Sequence, residues 1–172
     1  MKNFFKPGLL MLTLISVLAT KAQVPLHSSN PGASAVIFLD FDGHTVVGTG
    51  WNYNGPIVCG PSGFDDTQIT TIYNRVAEDY RPFDINITTD STKFLAAPLT
   101  KRMRVIFTVS SAWYGSTGGV AFIGSFTWGD DTPCFVFSAL LGYSLKKNSE
   151  AASHEAGHTL GLFHQSTYDA NC

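Results

Sequence analysis

Two continuous apolar runs along the chain predict strands that are buried on both faces of a sheet. They span residues 35–39 and 105–109, and an unbroken apolar run is typical of strands that are covered on both sides. Three further segments, 84–88, 120–128 and 135–137, alternate or are bounded by glycine and proline, which also favours strands. The pattern predicts five strands, with 35–39 as a central one.

Helical spacing first appears after Asp66. Six apolar or aromatic residues recur three or four positions apart, on one face of a helix: Ile69, Ile72, Tyr73, Val76, Ala77 and Tyr80. Asp65 or Asp66 can cap the first turn, and Pro82 predicts the end of the helix. We therefore expect an amphipathic helix that packs against the sheet.

A second helix is predicted near the end of the chain, where Asn148 or Ser149 can cap it and Glu150 lies favourably in the first turn. The segment 48–63 is so rich in glycine, asparagine and proline that we expect a loop without regular structure. The predicted order of one strand, one helix, four strands and one helix favours an α/β fold with a mixed sheet.

The N-terminus has the features of a signal peptide. Lysines precede an apolar run at 9–18, and small residues lead up to Ala22, where we expect cleavage. The run is too short to cross a bilayer core, which needs about 20 apolar residues. We interpret residues 1–22 as the signal peptide, 23–34 as a flexible lead and 35–172 as one domain. The mature chain is expected to be secreted, periplasmic or extracellular, without membrane association after cleavage.

Composition and charge narrow the range of partners. Of the 172 residues, 44% are hydrophobic and only 14% are charged, which argues against disorder. Cleavage would remove three of the 11 basic residues and leave 8 against 13 acidic ones, a net charge of about −5. We expect no nucleic-acid binding, because no basic patch is available to contact phosphates.

The three cysteines, Cys59, Cys134 and Cys172, are an odd set in a chain that is expected to leave the reducing cytosol. One disulfide and one unpaired thiol is the default interpretation. The sequence does not assign the pair.

Residues 154–164 read HEAGHTLGLFH and contain the strongest chemical signal in the sequence. Residues four apart on a helix lie one above the other, so His154 and His158 can direct imidazole nitrogens to one zinc ion, at about 2.0 to 2.1 Å. A continuing helix would carry His164 roughly 9 Å further along its axis. Gly161 can take the left-handed conformation that ends a helix, so that His164 completes a three-histidine Zn2+ site.

Glu155 follows the first predicted ligand and projects beside the metal rather than at it. It can take a proton from a zinc-bound water and pass it to a leaving amine, as a general base and then a general acid. Three histidine ligands leave one open coordination position, which distinguishes a catalytic zinc site from a closed structural one. The motif therefore predicts peptide-bond hydrolysis with Glu155 as the catalytic residue.

The eleven-residue pattern resembles the signature of the metzincin zinc peptidases. Segments 38–43 (FLDFDG) and 76–83 (VAEDYRPF) are similar to those of secreted bacterial, reprolysin-like metzincins, and the resemblance covers most of residues 35–165. It implies the metzincin upper subdomain, a twisted mixed five-stranded sheet with two main helices. It also implies that the strand at 120–128 lies at the sheet edge and pairs with an extended protein or peptide substrate.

One departure from the metzincin pattern concerns methionine. The family has a methionine in a turn beneath the zinc, after the third histidine, whereas the methionines of this chain are Met1, Met11 and Met103. The resemblance therefore implies a domain that is truncated after His164 and lacks the lower subdomain. The prediction is a secreted zinc endopeptidase, and the alternative is a catalytically inactive, zinc-binding metzincin fragment.

A second alternative depends on Asp40 and Asp42. The segment 36–43 (VIFLDFDG) also resembles the first motif of haloacid-dehalogenase-like phosphatases, in which a strand ends in a nucleophilic and an acid-base aspartate. Such an enzyme also needs a lysine and a magnesium-binding acidic pair, for which Asp130 and Asp131 are candidates. The simpler interpretation is that Asp40 and Asp42 form a turn at the end of a strand.

Overall fold

The computed structural model describes residues 24–164 of the chain. The predicted signal peptide and Cys172 lie outside this range. Within it, none of the helices combines the length and the apolar character that crossing a membrane requires.

Seven strands and three α-helices make up the described part of the chain. In chain order they are β1 (Ala35–Asp40), β2 (His44–Val46), β3 (Ile57–Cys59), α1 (Asp66–Asp79), β4 (Ile85–Thr88), α2 (Ser91–Ala96), β5 (Arg102–Thr108), β6 (Gly119–Val120), β7 (Cys134–Phe137) and α3 (Leu145–Thr159). Two short 3₁₀ helices, Leu99–Lys101 and Ser125–Thr127, lie between them. The α/β class that the pattern predicts is confirmed.

Five of the strands form one sheet in the order β4-β1-β5-β7-β6. β4, β1, β5 and β7 are parallel, and β6 is antiparallel to β7. β2 and β3 form a separate antiparallel hairpin. The predicted mixed sheet of five strands is confirmed, with β1 as an interior strand and β6 at an edge.

Helices and loops cover both faces of the sheet, which explains the unbroken apolar runs. In β1, Ile37 and Leu39 belong to the core beneath α1 and α3, whereas Val36 and Phe38 pack with Phe94 of α2. The four β1 side chains are at most 5% exposed. α1 and α3 therefore lie on one face of the sheet, and α2 lies on the other.

Helix α1 begins and ends as the sequence predicts. Asp65 is the N-cap: its side chain accepts a hydrogen bond from the Gln68 N–H at 2.9 Å, and the Gln68 side chain accepts one from the Asp65 N–H at 3.0 Å. This reciprocal capping box satisfies two amides of the first turn. The helix ends at Asp79, before Pro82, and buries Ile69, Ile72, Tyr73 and Val76.

The predicted strand at 120–128 is wrong beyond its first residue. Pairing with β7 ends at Val120, and Gly124 adopts a φ of 77° that turns the chain into the 3₁₀ helix Ser125–Thr127. The Gly124 N–H donates to His158 O at 2.9 Å, so this segment folds back onto α3. The edge strand is therefore only two residues long.

Helix α3 begins earlier than predicted. Ser144, and not Asn148 or Ser149, is the N-cap, because its Oγ accepts a hydrogen bond from the Lys147 N–H. Asn148 and Ser149 lie inside the helix and donate to carbonyls of the preceding turn. Both side chains could cap a helix, but here they form their hydrogen bonds with carbonyl groups inside α3.

Three of the strands and α-helices were not predicted: β2, β3 and α2. β3 lies within the segment 48–63, which we expected to have no regular structure, and it pairs with β2. α2 is only six residues long, and such a short segment carries little helical periodicity.

The described part of the expected flexible lead, residues 24–34, runs beside β4. Ser28 forms an isolated antiparallel bridge with Thr88, and the Ser29 N–H donates to Ile87 O at 3.0 Å. These bonds fix this part of the lead to the sheet.

Candidate metal centre

Helix α3 ends in a turn at Gly161, as the sequence predicts. Gly161 has a φ of 98°, the left-handed conformation that glycine adopts most readily. The Leu162 N–H donates to Gly157 O at 3.1 Å, and the Gly161 N–H donates to His158 O at 2.9 Å. These two bonds form a Schellman motif, which satisfies carbonyls at the helix end and reverses the chain.

The turn brings together the three histidines that the motif predicts as ligands. Nε2 of His154 lies 2.9 Å from Nε2 of His164, and Nε2 of His158 lies 3.0 Å from each of them. A tetrahedral zinc ion with bonds of about 2.0 to 2.1 Å would separate its ligand atoms by about 3.3 Å, so the triangle is slightly tighter than such a site. The three histidines are close enough to hold one metal ion.

The backbone selects the tautomer of His158. Its Nδ1 lies 2.7 Å from Leu162 O. A carbonyl oxygen only accepts hydrogen bonds, so Nδ1 carries the proton and Nε2 presents a lone pair to the other histidines. Carbonyl partners of this kind commonly orient histidine ligands in metal sites. Sequence reasoning did not find this contact, because it depends on the path of the chain after the helix.

The surroundings of His154 also favour the neutral form that binds metals. Burial, and next the neighbouring His158 and His164, lower the pKa of His154. A neutral imidazole is the form that coordinates a metal ion. The triangle therefore has the donor chemistry of a metal site.

Glu155 lies beside the histidines, against the edge strand. Its side chain is 8% exposed. A Cβ atom added at Gly119 of β6 would lie 2.8 Å from Cγ and from Oε1 of Glu155, and 2.9 Å from Phe135 O. Burial raises the pKa of Glu155 to about 7, although His158 opposes this. A carboxyl group that titrates near neutrality is suited to accept and release a proton.

Tyr80, directly after α1, holds α3 next to the first histidine. Its hydroxyl donates to Ser153 O at 2.9 Å, and the Ser153 Oγ donates to Asp79 Oδ2 at 2.6 Å. Burial raises the pKa of Tyr80, so the hydroxyl stays protonated and remains a donor. These contacts fix the position of Ser153, which directly precedes His154. The sequence indicated Tyr80 only as part of the apolar face of α1.

A cavity of about 360 Å³ opens at the histidines. It is lined by Ser153, His154, Gly157, His158, Leu162, Phe163 and His164. A larger cavity of about 650 Å³ lies elsewhere, among aromatic residues that include Trp51, Trp113 and Tyr114, and it shares no lining residue with the histidine cavity. The chemistry of the histidine cluster, and not cavity size, therefore marks the candidate site.

The structure separates the acidic residues that the phosphatase alternative needs. Asp40 is 1% exposed and forms an ion pair with Arg104. Asp131 bonds to Arg102, at the start of β5, whereas Asp40 is in register with Ile106, four residues further along that strand. At about 3.3 Å per residue, the Cα atoms of Arg102 and Ile106 are roughly 13 Å apart. Asp40 and Asp131 are therefore each paired with a different arginine of β5, which does not favour a magnesium ion shared between them.

Cys59 and Cys134 are buried, and neither is paired with another cysteine in the described residues. Burial raises the pKa of Cys59 to about 11 and holds the pKa of Cys134 well above its usual range. Both thiols therefore stay protonated near neutral pH, which makes them poor metal ligands. Whether a disulfide forms remains a prediction, because Cys172 lies outside the described residues.

Comparison with known proteins identifies no relative: no protein-family model matches the chain, and no curated protein matches it. The functional assignment therefore depends on the residues of the site and their geometry.

Proposed function

We propose that the protein is a secreted zinc-dependent endopeptidase of the metzincin type. The observation that supports this most directly is the convergence of three Nε2 atoms within 3.0 Å of one another. His154, His158 and His164 are the proposed zinc ligands. Glu155, buried between this cluster and the edge strand, is the proposed catalytic base.

Zinc fits the donor set well. Imidazole nitrogens suit zinc among the transition metals, and three histidines with an open position form a known type of catalytic zinc site. The hydrogen bond from His158 Nδ1 to Leu162 O supplies the orienting partner that such ligands require. A bound zinc ion would act as a Lewis acid, which polarises a peptide carbonyl and makes water more acidic.

Residues of the chain would supply the proton transfers. In the proposed mechanism, Glu155 would accept a proton from the attacking water and deliver it to the departing amine. The close approach of Gly119 restricts the position of the Glu155 carboxyl group. Such positioning contributes to the rate, because proton transfer requires a well-aligned donor and acceptor.

Strand β6 offers an edge on which an extended peptide can align. Within the described residues it pairs with β7 alone, so its other side can accept an added strand through main-chain hydrogen bonds. Gly119 lies in this strand and contacts Glu155, so a peptide bound there would pass close to the base. A protein or peptide in an extended conformation is therefore the proposed substrate.

The two alternatives differ in their support. A catalytically inactive zinc-binding chain would contain the same histidine triangle and differs only in activity. The phosphatase is disfavoured, because Arg104 pairs with Asp40 and Arg102 pairs with Asp131.

Glu155→Gln tests the proposed base directly. The substitution keeps the shape of the side chain and removes its ability to accept a proton. In the zinc-loaded, full-length product of the gene, we expect unchanged zinc content and an about 10²- to 10⁴-fold loss of hydrolysis of an unstructured protein. Glu150→Gln is the matched control, because Glu150 lies on the same helix, is 61% exposed and forms its ion pair with Lys146.

Three results would redirect the assignment. Equal cleavage by wild type and Glu155→Gln would exclude Glu155 as the base. A zinc-loaded wild type that cleaves nothing would favour the inactive alternative. A magnesium-dependent hydrolysis of phosphate esters that is lost in Asp40→Asn would favour the phosphatase.

A further inference from the structure

The motif Asp40-Phe41-Asp42-Gly43 has no part in the proposed peptidase chemistry, although it is one of the most conspicuous in the sequence. Asp40 ends β1, and Gly43 then adopts a φ of 94°. A Cβ atom at Gly43 would lie 2.8 Å from Cys59 O, so the turn requires glycine. This turn brings Asp42 back toward the end of β1, so that Asp40 and Asp42 line the same cavity.

One oxygen of Asp40 lacks a hydrogen-bond partner among residues 24–164. Asp40 is 1% exposed, and its Oδ2 accepts a hydrogen bond from Arg104. Its Oδ1 is buried and accepts no hydrogen bond from the described residues. Asp42 supplies no donor when both carboxyl groups are ionised. A buried acceptor without a partner is costly, so its presence calls for a ligand that satisfies it.

The unpartnered oxygen belongs to a residue that lines a cavity of about 270 Å³. Its polar lining includes Asp40, Asp42, Thr89, Ser91 and Arg104. Two carboxylates and one guanidinium give this cluster a net charge of −1, which favours a cation over an anion. The Thr89 hydroxyl already donates a hydrogen bond to Pro25 O and accepts one from the His27 N–H. Ser91 is the remaining hydroxyl in this lining.

We propose that Asp40 and Asp42 bind one hard divalent cation, Ca2+ or Mg2+, at the carboxyl end of β1. Oδ1 of Asp40 and the carboxylate of Asp42 are the ligands, Ser91 is the available hydroxyl, and water completes the coordination. Both cations prefer carboxylate and other oxygen donors, and either can be held by two carboxylates together with water. The site does not depend on the histidines or on peptidase activity.

Calorimetric titration of the zinc-loaded protein with CaCl2 and, separately, with MgCl2 tests this proposal. We expect one cation per chain, with a Kd of about 10⁻⁴ to 10⁻³ M for at least one of the two, because the protein supplies few ligands. Asp42→Asn removes a charged ligand from an exposed position and should weaken binding at least about tenfold. Asp84→Asn is the matched control, because Asp84 is an exposed aspartate directly before β4.

A second measurement compares the melting temperature of each variant with and without the cation, so that a variant of lower stability serves as its own reference. The bound cation should raise the melting temperature of wild type and Asp84→Asn, and should raise that of Asp42→Asn clearly less. His158→Ala should keep the cation response, which separates this site from the histidine cluster. The proposal is overturned if neither cation binds wild type, or if Asp42→Asn binds and responds as wild type does.

Discussion

Glu155 and Asp40 are both buried carboxylates in motifs that predict catalysis, but they lie in different surroundings. Asp40 follows Val36 and Phe38 on the α2 face of the sheet, where Arg104 bonds one of its oxygens. Glu155 lies on α3, on the other face, beside Gly119 and next to a histidine that is a proposed ligand. Both side chains are at most 8% exposed. Burial alone therefore does not separate a structural acid from a catalytic one.

The difference lies in the groups around each carboxylate. Near Asp40, the positive charge of Arg104 opposes protonation of the Asp40 carboxylate, and the second carboxylate, that of Asp42, favours a bound cation. Near Glu155 three imidazole nitrogens converge on one point, and an open edge strand adjoins the carboxyl group. A sequence motif identifies the residue, whereas its partners decide whether it moves a proton.

The largest expected effect concerns the pH dependence of stability at Asp40. Burial raises the pKa of Asp40 from 3.8 to about 6, although Arg104 opposes this. The folded state then binds the proton more tightly than the unfolded state. The resulting stabilisation is fully present below about pH 4 and is lost as the pH rises through about 6.

Asp40→Asn checks this pH dependence by removing the titration. Between about pH 4 and 7, the stability of wild type relative to Asp40→Asn should fall by at most on the order of 3 kcal/mol. Chemical unfolding in buffer without Ca2+ or Mg2+ measures the difference. If the stability of wild type relative to Asp40→Asn rises with pH, the effect of Arg104 on the pKa of Asp40 is larger than that of burial. Asp40 and Glu155 would then differ in the direction of their pKa shifts.

Gly119→Ala should change the surroundings of Glu155 and leave those of Asp40 as they are. The new Cβ atom would collide with Glu155 and with the Phe135 backbone carbonyl, so the proposed base must move. We expect kcat to fall by about 10- to 100-fold with zinc content unchanged. Gly118→Ala is the control, because its Cβ would meet only the flexible end of Leu141. Equal kcat values for the two variants would show that Gly119 does not position the base.

Gly161→Val should act on the histidine cluster through the backbone. Nothing lies within 4 Å of a Cβ atom at Gly161, but its φ of 98° is unfavourable for a β-branched residue. A conformational cost of about 1 to 2 kcal/mol should weaken zinc binding by about tenfold. Gly48→Val is the matched control, because Gly48 has a φ of 68° and equally open surroundings. Competition with a zinc chelator measures both affinities, and unchanged affinity in Gly161→Val would contradict the proposed role of the turn.

The sequence predicts those features of the candidate site that depend on residues close together in the chain. The spacing of His154, His158 and His164 and the glycine at 161 predict the convergence, because they depend only on helix geometry and one turn. The contacts of Gly119 and Tyr80 are not readable, since they join residues more than 30 positions apart in the sequence. The pairing of Asp40 with Arg104 is missed for the same reason.

The fold shows the same limit. Apolar runs predict the buried strands β1 and β5, because covering both faces demands apolar side chains at every position. The segment 120–128 has strand-like composition, yet Gly124 turns it onto α3, where its N–H bonds His158 O. Only the tertiary contact decides between the two conformations. The start of α3 is missed because Ser144, Asn148 and Ser149 are all capable caps.

Zinc content tests the central claim most directly. Wild type, His158→Ala and His44→Ala are purified, incubated with zinc, dialysed, and analysed by mass spectrometry and elemental analysis. His158 carries a proposed ligand nitrogen, and its ring is oriented by the Leu162 carbonyl, whereas His44 lies in β2, outside the cluster. We predict about one zinc per chain in wild type and His44→Ala, since three imidazoles form a single site, and little or none in His158→Ala. Equal zinc content in wild type and His158→Ala would contradict the account.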